Sequence, residues 1–243
     1  MRFDIPSLDG TEILTIEFRD GEDTAHTIAR RPASRRERSD NLGRSVGMIQ
    51  TASGILYDVV NPKPEHVWID DIAHHLSQQC RYSGATKRFY SVAEHSIWVS
   101  LIVPPKYARE ALLHDAAEAY CIDLPRPIKH LPEMGHYREL EWRNERAIVE
   151  RFGLSTTTID DVVVADVEAL ACECRQLMPW RDAEWWWGDL ARRPLRDVTK
   201  EASYVFQTRD YEEQRFTELL RFEPDPIEVR STFLRRAKEL GLT

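Results

Sequence analysis

The spacing of apolar residues predicts a chain that is largely helical. Apolar side chains recur every three or four positions in several stretches, which is the period of an amphipathic helix. Prolines and glycines separate these stretches, as is usual for helix boundaries. The predicted helices cover residues 70–80, 91–103, 106–120, 137–152, 158–178, 199–220 and 225–241.

Residues with known preferences for helix ends support these boundaries. Asp70 or Asp71 is expected to cap the first helix, and Pro104-Pro105 should end the second. Gly153 follows the long helix at the position where a left-handed residue commonly closes a helix. Asp225-Pro226 combines a capping carboxylate with a proline in the first turn of the last helix. The predicted fold class is therefore all-α.

Two short stretches have β character instead. Asp9-Gly10 forms a turn signal before the partly alternating segment Glu12–Phe18, so residues 1–29 are expected to form a small β element. An arginine-rich segment of low hydrophobicity follows, and it is predicted to be a linker over residues 30–47. Residues 55–60 predict one further short strand. The expected organisation is an N-terminal extension over 1–47, a helical core over 48–180 and a helical C-terminal extension over 181–243.

Charge and composition exclude several classes of protein. The formal net charge of −8 argues against a stable nucleic-acid partner or an anionic membrane surface. No apolar run approaches the roughly 20 residues of a membrane span, and the first residues lack the apolar stretch of a signal peptide. The cysteines form no C-x-x-C pair, so reduced thiols are expected. These features predict a cytoplasmic protein.

The residue types that bear on chemistry cluster around a His-Asp doublet. His114-Asp115 follows the apolar run Ala111–Leu113, and a charged doublet beside a core is costly unless it is paired or bound to metal. Imidazole and carboxylate ligands suit Zn, Mn, Co or Fe(II). On a continuous helix, Glu118 would share one side with both residues. The pattern predicts a metal site with a neighbouring acid or base; the alternative is a set of unrelated polar residues on solvated faces.

A carboxylate on a helix that is distant in the sequence, Asp166, is a further candidate for the same site. Asp166 lies in the middle of the apolar face of the helix predicted over 158–178, where it is either a satisfied core group or a metal ligand. The cluster around His114 favours the ligand. Glu173, further along that face, is either a partner of the ligands or a surface carboxylate. The Trp185–Trp187 run is expected to pack as a lid or an interface.

Taken in order, His95, His114-Asp115 and Asp166 form the H…HD…D pattern of the HD-domain superfamily of metal-dependent phosphohydrolases. Local motifs strengthen the resemblance. Ser91–Ser96 (SVAEHS) resembles one element of that family. His114–Glu118 (HDAAE) followed by Asp123–Lys129 (DLPRPIK) resembles a block found in bacterial 5′-deoxynucleotidases and their phage-encoded relatives.

The resemblance implies a helical bundle around one divalent ion, which could be Co, Mn, Zn, Mg, Ni or Fe. The implied metal ligands are His95, His114, Asp115 and Asp166. Residues that match Glu118 and Asp123 manage water and protons in that family.

The resemblance also implies a set of substrate-binding residues. Arg81 matches an arginine that binds the substrate phosphate, and Tyr82 stands where relatives carry an aromatic residue beside the sugar and base. Lys129 and Arg126 would be available to phosphate as well.

The expected function is hydrolysis of a (deoxy)nucleoside 5′-monophosphate to nucleoside and phosphate. Three alternatives remain open at this point. The first is a deoxynucleoside triphosphate triphosphohydrolase, which would release triphosphate. The second is a phosphodiesterase acting on a cyclic or oligonucleotide messenger, and the third is a regulatory nucleotide-binding module. Relatives commonly assemble, so a homo-oligomer is also expected.

Overall fold

The computed structural model describes residues 2–6, 12–18, 25–32, 46–179 and 225–243. This part of the chain is mostly helical, and no helix in it is long and apolar enough to cross a membrane. Its α-helices are α1 (Ile69–Gln78), α2 (Val92–Ile102), α3 (Ala108–Leu112), α4 (Glu118–Cys121), α5 (Arg126–Lys129), α6 (Gly135–Phe152), α7 (Asp160–Leu177) and α8 (Pro226–Glu239). The helix predicted over 199–220 and the Trp185–Trp187 run lie outside the described residues.

Two small antiparallel sheets accompany the helices. Strands β1 (Arg2–Pro6), β2 (Glu12–Phe18) and β3 (Ala25–Pro32) form one sheet in that order, and β4 (Met48–Gln50) pairs with β5 (Leu56–Asp58). The predicted β element at the N-terminus is thus confirmed. Its boundary was wrong, because β3 continues to Pro32, which pairs with Glu12. The arginine-rich composition suggested a linker, but Arg30 and Arg31 are exposed residues at the end of β3.

Helix α2 lies at the centre of the core. Its side chains are buried on nearly every side, as expected of a helix that is apolar all round. It packs against α1, α3, α7 and α8. Trp98 of α2, Leu76 of α1 and Phe233 of α8 are almost completely inaccessible to solvent. Any polar side chain that α2 carries toward these neighbours is therefore held in the interior.

The residues that the sequence predicted to cap or end helices do so with one exception. Gly153 closes α6 with a φ of 60°, and the Asp225 carboxylate accepts a hydrogen bond from the Ile227 amide at the start of α8. The exception is α1, which begins at Ile69 without a side-chain cap. Asp71 is buried instead, and its carboxylate accepts hydrogen bonds of 2.7 Å from both the amide and the hydroxyl of Ser53. The aspartate therefore ties the turn between β4 and β5 to α1.

Alanine at Ser91 is expected to lower the free energy of unfolding by about 1 kcal/mol. The Ser91 hydroxyl accepts a hydrogen bond from the Glu94 amide and caps α2, which begins where the sequence predicted a helix. Urea denaturation checks the value. Ser231→Ala is the control, because that exposed serine donates its hydroxyl hydrogen bond back to the Ile227 carbonyl of its own helix. Equal losses in the two variants would contradict the capping role.

All four cysteines carry free thiols, as predicted, and they are Cys80, Cys121, Cys172 and Cys174.

Candidate metal centre

The candidate ligands come from three separate elements. His95 lies on α2 and is fully buried. His114 and Asp115 lie between α3 and α4, and Asp166 lies on α7. The sequence placed the first three on two successive helices, and the structure brings all four together.

The predicted continuous helix over 106–120 was wrong. Helix α3 ends at Leu112 and α4 begins at Glu118. Between them the backbone winds more tightly, with i→i+3 hydrogen bonds from the Ala116 amide to Leu113 and from the Glu118 amide to Asp115. Residues 113–117 thus form a series of turns between the two helices. Alanine and leucine suit both windings, so the apolar period did not reveal the change.

Three ligand atoms converge on one point. The Nε2 atoms of His95 and His114 are 3.3 Å apart. Oδ2 of Asp115 lies 3.3 Å from the Nε2 of His114 and 3.6 Å from the Nε2 of His95. Ligands bonded to one ion at about 2.0–2.1 Å would stand roughly 3.0–3.4 Å apart. These three residues could therefore hold a metal ion.

The hydrogen bonds of the two imidazole rings favour a cation at this point. Nδ1 of His114 lies 2.8 Å from the Ala111 carbonyl, which can only accept, so this nitrogen carries the proton. Nδ1 of His95 lies 2.6 Å from a Glu173 carboxylate oxygen, which sets the same tautomer. In the neutral rings both Nε2 atoms then present lone pairs to each other. A cation between them removes this repulsion, so the donor set fits a divalent ion.

Asp166 stands next to this triad. Its Oδ1 is 3.1 Å from the Nε2 of His95 and 3.9 Å from the Nε2 of His114. Alanine residues on either side of it along the helix face, Ala165 and Ala169, are buried against the core. The carboxylate is thus directed toward the two histidines, where a fourth ligand would stand.

Glu173 was left open by the sequence, and the structure makes it the partner of His95. The side chain is fully buried. One carboxylate oxygen accepts hydrogen bonds from His95 and, at 3.0 Å, from the Tyr90 hydroxyl, and the other accepts from the Tyr82 hydroxyl at 2.6 Å. Nε of Arg81 lies 3.3 Å from it. A spacing of seven residues from Asp166, two helical turns, was the available sequence signal.

The carboxylates make this centre attractive to cations. Although burial opposes ionisation, Arg81 and His95 hold the pKa of Glu173 well below its usual range. Burial and Arg81 lower the pKa of His95, yet Glu173 and Asp166 outweigh them and raise it to about 10. The same negative charges would attract a divalent ion, which would displace the proton from the His95 ring on binding.

The two residues expected to handle protons lie beside the triad. Burial raises the pKa of Glu118 to about 9, and the charges of Asp115 and Asp123 add to the effect. Burial also raises the pKa of Asp123, whose amide donates to the Gln79 side chain. Nζ of Lys129 is 3.5 Å from a Glu118 carboxylate oxygen. Glu118 therefore takes up a proton more readily than an exposed glutamate does.

The predicted substrate residues occupy different settings. Arg81 donates to Asp115 at 3.3 Å, so its guanidinium adjoins the ligands. Tyr82 has a left-handed backbone (φ 56°), which directs its hydroxyl to Glu173. Lys129 is held by Glu141 at 2.5 Å as well as by Glu118. Arg126 is exposed at the first position of α5. Arg81 thus contacts a candidate metal ligand, whereas Tyr82 contacts Glu173 and Lys129 contacts Glu118.

Comparison with known proteins finds two relatives. The chain is 41% identical over 134 residues to "Uncharacterized protein YfdR" of Escherichia coli K12, covering 54% of this chain and 73% of that protein. This chain belongs to the YfdR family. It is also 33% identical over 145 residues to "Uncharacterized protein RCAP_rcc00048" of Rhodobacter capsulatus, covering 54% of this chain and 74% of that protein. No protein-family model matches the chain.

Proposed function

We propose that this protein is a metal-dependent phosphohydrolase that acts on (deoxy)nucleotides and has an HD-domain fold. The observation that carries the proposal is the convergence of His95, His114 and Asp115 at one point. Glu118, a buried carboxyl group with a raised pKa, and Arg81, a largely buried cation, lie beside that point. The best substrate class is a nucleoside 5′-monophosphate, split into nucleoside and orthophosphate.

The ligands for a divalent ion would be His95, His114, Asp115 and Asp166. Such an ion would supply Lewis acidity, which lowers the pKa of water and neutralises charge on a phosphoryl group. The chain's own contribution is to hold the ligands rigid. Glu173 fixes the ring of His95, and the Ala111 carbonyl fixes the ring of His114.

Arg81 would bind the phosphate of the substrate. Its guanidinium is already anchored by Asp115 and Glu173, so little side-chain freedom remains to be lost when the anion binds. A planar fork of N–H donors suits two phosphate oxygens at once. Lys129 adds a second positive charge near Glu118.

Glu118 and Asp123 would divide the proton transfers. A carboxyl group with a pKa of about 9 holds its proton at neutral pH and can give it to the oxygen that leaves phosphorus. Asp123 would orient the attacking water and accept a proton from it. Two carboxyl groups with different environments can perform these opposite roles in one site.

Glu118→Ala is expected to leave metal bound and to slow phosphate release by on the order of 10²-fold or more. The reason is that Glu118 handles protons and is not among the converging ligand atoms. Metal content and single-turnover rates would be measured together. Glu150→Ala, at an exposed position of α6, is the control. A Glu118 variant with the rate of the unmodified protein would remove this residue from the mechanism.

A product assay tests the function itself. Protein loaded with Mn, Co, Zn or Mg is incubated with ribo- and deoxynucleoside mono- and triphosphates, and the products are separated by chromatography. Orthophosphate from monophosphates supports the nucleotidase proposal, whereas intact triphosphate identifies a triphosphohydrolase. Absence of turnover with every metal and substrate would overturn the proposal.

A further inference from the structure

A cavity of about 380 Å³ adjoins the candidate metal centre. His114 and Asp166 form part of its wall, and the rest comes from α3, α6, the start of α7 and the loop between α6 and α7. The volume lies within the range of about 300–1,000 Å³ that is usual for small-molecule sites. A ligand in this cavity would therefore reach the metal ligands directly.

The wall of the cavity combines two kinds of surface. Ile148, Leu154 and Val162 provide apolar contact. Ser155 and Thr157, which belong to the loop between α6 and α7, are hydroxyl-bearing residues of the lining. Such a mixed surface suits a molecule with a flat apolar ring and several hydrogen-bonding groups.

Glu110 gives the cavity an unsatisfied acceptor. Its Oε2 is buried and, among the described residues, has no hydrogen-bond partner. Glu110 and His114, which are four positions apart in the chain, both line this cavity. A buried carboxylate oxygen without a donor is costly, and an N–H or O–H group of a ligand would relieve that cost. Neither the sequence motifs nor the proton chemistry described above uses this residue.

We propose that the cavity binds the nucleoside of the substrate and that Glu110 accepts a hydrogen bond from a sugar hydroxyl or a base amino group. This inference rests on the proposed function and narrows it. With the nucleoside beside His114 and Asp166, the phosphorus atom nearest the sugar lies at the ligand cluster.

The bond that breaks is then the one between that phosphorus and the 5′ oxygen. The oxygen of water forms the new bond to phosphorus, and the 5′ oxygen gains a proton and leaves as nucleoside. The same cleavage yields orthophosphate from a monophosphate and intact triphosphate from a triphosphate. Binding of the nucleoside in the cavity therefore predicts that nucleoside is one product, whatever the length of the phosphate chain.

Two neighbouring valines on α7 offer a matched test. Val163 lines the cavity and its side chain is 47% exposed, whereas the adjacent Val164, 51% exposed, does not line it. Tryptophan at either exposed position should leave the core intact. Binding of the common 2′-deoxynucleosides to manganese-loaded protein would be measured by calorimetry. We expect Val163→Trp and Glu110→Ala to weaken binding by about tenfold or more, and Val164→Trp to change it less than twofold.

Equal affinities in the Val163→Trp and Val164→Trp variants, or no nucleoside binding by the unmodified protein, would overturn the cavity proposal. Kinetic measurements then distinguish the cavity proposal from the proposal that the protein is a phosphohydrolase. The ratio of kcat/KM for a deoxynucleoside monophosphate to that for p-nitrophenyl phosphate should fall in Glu110→Ala. If the protein turns over substrate but this ratio is unchanged in Glu110→Ala, the cavity proposal is overturned and the phosphohydrolase proposal stands. Nucleoside binding that depends on Val163, without any turnover, supports the cavity and overturns the phosphohydrolase.

Discussion

Replacing Asp115 with alanine is expected to abolish both metal binding and phosphate release. Asp115 provides the carboxylate oxygen that faces the Nε2 atoms of His95 and His114. Without it, a divalent ion would lose one of its two charged ligands and would keep only the two imidazole rings and Asp166. The same change also frees Arg81 from one of its two anions. Metal content after dialysis and phosphate release would be measured on the same sample.

The control for this variant is Asp70→Ala. Asp70 is an exposed aspartate that faces Arg230 at 3.6 Å, a surface pair of the kind that contributes little to stability. It should keep full metal content and activity. Full metal content in Asp115→Ala would show that Asp115 is not a ligand.

Replacing Glu173 with alanine should give the second-largest effect, on both metal affinity and stability. Its carboxylate holds His95, two tyrosine hydroxyls and Arg81 in a fully buried setting. Loss of a carboxylate that orients a histidine ligand typically costs 10- to 100-fold in metal affinity. Removing one partner of this buried charge cluster, in which Arg81 would keep only Asp115, should lower the free energy of unfolding by about 3–5 kcal/mol. Metal titration and urea denaturation measure the two effects.

Tyr82→Phe serves as the comparison for Glu173→Ala, because it removes a single donor to the same carboxylate. It should cost about 1 kcal/mol in stability and leave metal affinity close to that of the unmodified protein. If Glu173→Ala affected metal affinity no more than Tyr82→Phe does, the role of Glu173 in holding His95 would be refuted.

Helix positions followed from local sequence because the signals are local. Ser91, the Pro104-Pro105 pair, Gly153 and Asp225 act within one turn of the backbone, and each ends or begins a helix where the sequence predicted it. The break between α3 and α4 gave no such signal. The residues between Leu113 and Glu118 are compatible with either winding, and the tertiary contacts of His114 and Asp115 select the tighter one.

The candidate ligands could be predicted from their order in the chain, but their surroundings could not. A glutamate on a helix is usually exposed. Glu173 is buried because Arg81, Tyr82 and Tyr90, which lie more than 80 positions earlier, surround it in the folded chain. The cavity beside His114 likewise depends on how α3, α6 and α7 pack. The expected homo-oligomer stays a prediction.

The most direct test of the central claim couples metal stoichiometry to turnover. Chelator-treated protein would be titrated with Mn²⁺ in the presence of a deoxynucleoside 5′-monophosphate, and orthophosphate release would be followed. The proposed site predicts that release rises in step with added metal, saturates at about one Mn²⁺ per chain, and is absent in Asp115→Ala. Release at the same rate from metal-free protein or from Asp115→Ala would contradict a metal-dependent phosphohydrolase at this centre.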